Sequence, residues 1–177
     1  MRRGTRRKTT DKTVYTMRNE KQALEYAACE YFLKSYNSCQ RTNLIILDHN
    51  DKPDFIIKDK DTAEVIGLEV SHLFYDQEEA KMLLGRSSNK THDPMNMGNM
   101  ICELNNLLAE KATASLKYLF QGRLFLLIRV ASPLFGKPDF ELHEDEISIS
   151  KFNPFDQIWL LFFDAKSQTY TDLKQIQ

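Results

Sequence analysis

Two stretches, Leu124 to Ile128 and Ile158 to Phe163, are uninterrupted apolar runs inside strand-length segments, Arg123 to Val130 and Gln157 to Phe163. A strand with one wet face alternates apolar and polar residues. A continuous apolar run has to be covered on both faces, which requires helices above and below a sheet. Neither run approaches the roughly 20 residues of a bilayer crossing. Amphipathic periodicity supplies the cover. It predicts a helix over Asn19 to Tyr36, with Asn19 as its cap and Leu24, Ala27, Ala28, Tyr31 and Ser35 facing inward. On that wheel Glu20 lies inward, Glu30 sits at the margin and Glu25 points away. A second long helix is predicted over about Asn96 to Tyr118, with Met97, Ile101, Leu104, Leu108, Ala112 and Leu119 as its stripe, and a short one over Gln77 to Leu84.

Three further strands fit Leu44 to Leu47, Asp54 to Lys58 and Glu64 to Leu73, separated by the turn-rich segments His49 to Pro53 and Asp59 to Thr62. Gly67 interrupts the third, where a bulge or a close backbone approach is expected. The order is helix, three strands, helix, two strands: a mixed α/β sandwich. With 177 residues, 11% aromatics and no repeat or Pro/Gly-rich linker, disorder is excluded as a global state and one domain over residues 14–177 is the simplest division. Ahead of it, residues 1–13 hold six basic side chains and one acid, a charge of +5, which leaves -6 on the remainder. Such a block reads as a flexible arm, either solvated or meeting an anionic polymer. It is not followed by an apolar segment, so it does not read as a secretory leader. Cys29, Cys39 and Cys102, odd in number and without CxxC or zinc spacing, point to reduced thiols and a cytoplasmic setting.

The chemistry concentrates in Pro53-Asp54-Phe55-Ile56-Ile57 and Ile66-Gly67-Leu68-Glu69-Val70-Ser71. With a period of two, Ile66, Leu68 and Val70 share one face while Gly67, Glu69 and Ser71 share the other. A carboxylate in the middle of such a strand needs a cation, a metal or a wet cleft, because an unpaired buried charge is costly. Asp54, across the hairpin, falls within reach of the Glu69 side, and two converging carboxylates repel unless a divalent cation sits between them. Hard oxygen ligands suit Mg²⁺. Bland alternatives stand beside each residue: a turn acid for Asp54, a structural ion pair for Glu69, a helix-dipole acid for Glu20. His72 faces away from Glu69, while His49, His92 and His143 fall in loops without ligand spacing. Met95, Met97 and Met100 read as packing, and the Glu144-Asp145-Glu146 cluster reads as a solvated loop. No GxxxxGK[ST], GxGxxG or GxSxG motif occurs, which argues against nucleotide triphosphatase, dinucleotide and serine-hydrolase chemistry.

A first helix with an inward Glu, Pro-Asp opening one strand and Glu-x-x on the next resembles the PD-(D/E)xK nuclease superfamily. That likeness implies a restriction-endonuclease-like αβββαβ core, with a mixed central sheet of 4–5 strands flanked by helices. Carried over residue by residue, Asp54 and Glu69 match the metal-binding acids, Val70 supplies a backbone carbonyl ligand and Glu20 matches the first-helix acid, with Glu30 as the less favoured choice. Ser71 stands where the family has lysine. Members that relocate the lysine place it on the following helix, and there Lys111 falls inside the apolar sector while Lys117 and Glu103 lie on the solvated face; the plain alternative is that Lys111 snorkels outward. The resemblance implies an endonuclease dependent on Mg²⁺ or Mn²⁺ that hydrolyses phosphodiesters of nucleic acid, DNA in the first instance. The alternatives are a catalytically inactive nuclease-fold module that binds nucleic acid or protein, and an unrelated α/β sandwich with Asp54 remote from Glu69. Oligomeric state is not legible, and a homodimer stays open.

Overall fold

The computed structural model describes residues 9–87 and 96–177, with side chains from Glu20 onward. The basic residues before Thr9, and His92 and Met95, lie outside the described residues. One mixed sheet holds six strands in chain order. They are β1 (Leu44–His49), β2 (Phe55–Asp59), β3 (Val65–Leu73), β4 (Arg123–Val130), β5 (Gln157–Asp164) and β6 (Thr169–Gln175). β1, β2 and β3 form an antiparallel meander, β3, β4 and β5 run parallel, and β6 returns antiparallel to β5. The helices are α1 (Thr9–Gln40), α2 (Gln77–Leu83), α3 (Met97–Ser115) and α4 (Lys137–Leu142). The fold class is α/β, as expected, but the sheet has six strands rather than four or five. β6 reads Thr-Tyr-Thr-Asp-Leu-Lys-Gln, an edge strand with only Tyr170 and Leu173 packed inward, and offers no apolar run to notice. α4 and a 3₁₀ turn at Glu144–Glu146 occupy what reads as loop in the sequence.

Period-two alternation splits the core into two layers. Phe55, Ile66, Leu68, Val70, Phe125, Leu127, Trp159 and Leu161 face α1, where Phe32, Leu33 and Tyr36 meet them. Leu124, Leu126, Ile128, Ile158, Leu160 and Phe162 face the other way, onto Met100, Ile101, Leu104 and Leu108 of α3. The apolar runs of β4 and β5 are thus covered on both sides. Asn37 pins the turn from α1 to β1: it donates from Nδ2 to the Leu44 carbonyl at 2.9 Å and accepts the Leu44 amide at 2.8 Å. Among the described residues, no helix is long and apolar enough to cross a membrane. All three cysteines are free, with Cys29 buried.

Three expectations about the helices need correction. α1 starts at Thr9, so Asn19 lies inside the helix and the expected arm overlaps its first turn. No Gly or Pro interrupts residues 9–40, and an Asn caps only where the backbone leaves helical geometry. The buried stripe of α1 is Glu25, Ala28, Cys29, Phe32, Leu33, Ser35 and Tyr36; Ala28 and Ser35 face inward as expected, whereas Leu24 and Ala27 are half-buried and Tyr31 is 37% exposed. The face is therefore turned by one residue, about 100°, because Phe32 and Leu33 together bury more apolar surface than Leu24 and Tyr31. α3 does begin after Asn96, whose side chain accepts the Asn99 amide at 2.9 Å. It ends at Ser115, however, and Leu119 lies beyond it, 99% exposed.

Candidate functional site

β2 and β3 pair from Lys58↔Val65 to Phe55↔Leu68 and stop there. Continuing that register sets Asp54 opposite Glu69 and Pro53 opposite Val70. Proline has no N–H, so the ladder cannot extend to Val70. The Asp54 side chain takes over instead: its Oδ2 accepts the Val70 amide at 2.8 Å. Backbone N–H and C=O of one strand residue point to the same side, which turns the Val70 carbonyl toward this same opening, where Pro53 has nothing to donate.

Gly67 makes the arrangement fit. A Cβ there would lie 2.8 Å from Pro53 Cγ and 3.0 Å from both Leu124 Cδ1 and Phe120 Cδ1, so the glycine answers neither a bulge nor a neighbouring backbone but the side chains packed on it, the Pro53 ring first. Gly67→Ala is expected to push Pro53 outward, shift Asp54 off the Val70 amide and destabilise the fold by about 1–3 kcal/mol. An unchanged urea midpoint would show that the ring can move at no cost.

Asp54 and Glu69 are both buried, 7% and 4% exposed. Burial first, then the nearby Glu69 charge, raises the Asp54 carboxyl from its ordinary range to about 7, with Glu25 adding to the rise and the Val70 amide and Lys111 opposing it. Glu69 reaches the α3 side. There its Oε1 accepts from Lys111 Nζ at 2.9 Å, while its Oε2 is buried with no hydrogen-bond partner. Burial first, then the neighbouring Glu69 carboxylate, holds the phenol of Tyr118, just past α3, above the usual tyrosine range. Ser71 is half-buried one step further along the same face.

Asp54, Glu69, Val70 and Lys111 thus come together. Glu20 does not join them. It is an exposed residue paired with Arg86 at 2.7 Å, and Glu30 is exposed as well. The buried α1 acid is Glu25, 4% exposed, whose charge bears on Asp54 and which is held by Lys21 at 3.0 Å and lies 4.0 Å from His49 Nε2. His49 in turn stacks on Phe55 with ring centroids 4.5 Å apart. Lys21, Glu25 and Tyr118 were not singled out from sequence. The phase of Phe32, Leu33 and Tyr36 carried the signal for Glu25, since a stripe through those residues extrapolates back to position 25. His72 lies on the opposite face, as its register requires. Burial, followed by Arg129, Lys21 and Lys111, lowers its imidazole to about 3, so it is neutral at any ordinary pH.

Among the described residues, no three His, Cys, Asp or Glu side chains gather as a metal cluster. A cation here would rest on two carboxylates and a backbone oxygen. Comparisons with protein-family models, curated proteins and solved structures find no match, so the site is read from its own geometry.

Proposed function

We propose that the protein is a divalent-metal-dependent phosphodiesterase of the PD-(D/E)xK type, acting on nucleic acid and first of all on DNA. The observation that carries this reading is the meeting of two buried carboxylates from adjacent strands with a lysine from the following helix: Asp54, Glu69 and Lys111. The element order from α1 through β1, β2 and β3 to α3 and β4 supports it as the restriction-endonuclease-like αβββαβ succession.

The donor set suits a hard cation. Glu69 keeps one buried oxygen without a donor, Asp54 holds a proton to near neutrality because it is buried beside Glu69, and the Val70 carbonyl lacks a strand partner. Asp54, Glu69 and Val70 would hold Mg²⁺ or Mn²⁺, which when bound activates water and offsets charge at phosphorus. The residues of the chain do the rest. Lys111 brings a fixed ammonium to the place where negative charge accumulates on the phosphoryl oxygens, and does from α3 what Ser71 cannot do from β3. Tyr118 and the α3 wall screen Glu69 from water. Glu25, held by Lys21, would serve as the α1 acid in place of Glu20.

The test is cleavage of supercoiled plasmid and of oligonucleotides with Mg²⁺ or Mn²⁺. Wild type should cut, and the Asp54→Ala, Glu69→Ala double variant should be slower by at least about 10²-fold, in line with removal of a preorganised electrostatic group. Equal rates would sink the enzyme reading. A non-catalytic nuclease-fold binding module would then remain, favoured by the fact that Lys111 already neutralises Glu69 without a metal.

A further inference from the structure

Among the described residues, Arg129, near the carboxyl end of β4, is a cation without a counter-ion. It shares the α1 face of the strand with Phe125 and Leu127 and is half-buried. Its Nε is buried with no hydrogen-bond partner, and among the described residues no carboxylate pairs with it. Among the described residues its charge-stabilising contact is the Tyr170 ring, 5.0 Å from the guanidinium carbon, a cation–π contact worth about 0.5–2 kcal/mol. That does not replace the hydrogen bonds of a guanidinium fork. Directly across the ladder stands His72, whose Nδ1 and Nε2 are both buried and without partners. Each such orphaned group costs about 1–3 kcal/mol, and here they lie side by side at the carboxyl ends of two parallel strands, the edge at which open α/β sheets take ligands. A cavity of about 270 Å³ reaches His72 on the α1 side, walled by Lys21, Leu24, Phe74, Leu84 and the Glu20–Arg86 ion pair.

We propose that Arg129 and His72, neighbours across the β3–β4 ladder, bind a phosphate group, the cavity opening on the His72 side of the pair. The planar guanidinium matches a phosphate with two parallel N–H donors, and a neutral imidazole adds one more. The bound oxyanion would supply the charge that Arg129 lacks and the acceptor that both side chains lack. His72 lies three residues beyond Glu69, about 10 Å along β3 and on its other face, so this site is separate from the carboxylate centre. Free phosphate and the backbone phosphate of a nucleic acid share this chemistry, and only the second source rests on the nuclease reading.

Two measurements on the full chain separate these cases. In the first, inorganic phosphate is titrated at constant pH into protein labelled at its histidine rings. The His72 resonances should shift saturably in wild type and stay fixed in Arg129→Gln; no response in wild type overturns the proposal. In the second, oligonucleotide affinity is measured across a salt series. Arg129→Gln should weaken binding and make the slope of log K against log salt shallower by about 0.7–0.9, one phosphate contact. Arg123→Gln, which removes a cation paired with Glu64 at the far end of β4, should leave that slope unchanged. If both variants flatten the slope equally, with no His72 response, the effect is diffuse charge and the site is refuted. A His72 response with an unchanged slope supports the site and assigns it to free phosphate, leaving the nuclease reading to the cleavage assay. Should Arg129→Gln fail to fold, the wild-type titration decides alone.

Discussion

Replacing Lys111 with methionine is expected to cost about 3–5 kcal/mol of stability, lowering the melting temperature by roughly 6–20 °C for a domain of this size. Lys111 and Glu69 are 19% and 6% exposed at their side chains, and Glu69 already has one oxygen without a donor. Removing the ammonium leaves a buried carboxylate with no direct cation, the more damaging half of breaking a buried pair. Methionine preserves the bulk of the stem, so packing on α3 is retained and the loss reports on charge. The comparison is the double variant Lys111→Met, Glu69→Leu, which removes both charges and should regain most of the stability or exceed wild type. Under the nuclease reading, the two variants are equally inactive, with cleavage down by about 10²–10³-fold. A single variant that melts with wild type would show that Glu69 is neutralised by some other means.

That pair also marks how far the sequence could be read. Glu69 stood out because an acid amid Ile66, Leu68 and Val70 is out of place, and Lys111 because its wheel position falls among leucines. Both signals are local, and both side chains meet. Asp54 was placed near Glu69 from hairpin length alone, but the reason the strands part at Val70 is that Pro53 falls opposite it. That consequence needed the register.

Sequence alone favours Glu20 as the inward acid because the first helix carries apolar residues almost all round. Leu24, Tyr26, Ala27, Ala28, Cys29, Tyr31, Phe32 and Leu33 admit two phases one residue apart. Only the sheet beneath, with Phe125 and Trp159 waiting for Phe32 and Tyr36, selects the phase that turns Glu25 inward. β6 was invisible for the opposite reason. As an edge strand covered on part of one face, it needs little apolar sequence, and its place is fixed by pairing with β5. The orphaned Arg129 could not be seen either, since an arginine at the end of an apolar strand is commonplace until its missing partner is known.

Asp54→Asn is expected to stabilise the metal-free protein at pH 8 while abolishing the proposed activity. In the folded protein the Asp54 carboxyl is raised from 3.8 to about 7 by burial and by Glu69. Below about pH 4 the carboxyl is protonated in both states and contributes no difference. Between pH 4 and 7 the unfolded chain releases this proton while the folded one retains it. The folded state then binds more protons, so this residue makes stability fall as pH rises, by roughly 4 kcal/mol in all, and the loss levels off above pH 7. Asparagine removes the titration yet can still accept the Val70 amide through its side-chain oxygen. The difference between variant and wild type should therefore be near zero at pH 4 and reach a few kcal/mol in favour of the variant at pH 8, read from urea midpoints in the presence of a chelator. Taking the difference cancels the slopes of the other carboxylates. Divalent cation should act in the opposite sense, since a carboxylate has to lose its proton to serve as a ligand. At pH 8, Mn²⁺ at about 100 times its dissociation constant should raise wild-type stability by about 2.7 kcal/mol and leave Asp54→Asn unmoved. A variant-minus-wild-type difference that is flat from pH 4 to pH 8 would mean that Asp54 ionises in the fold as readily as in water, and the case for a cation-seeking carboxylate pair would go with it.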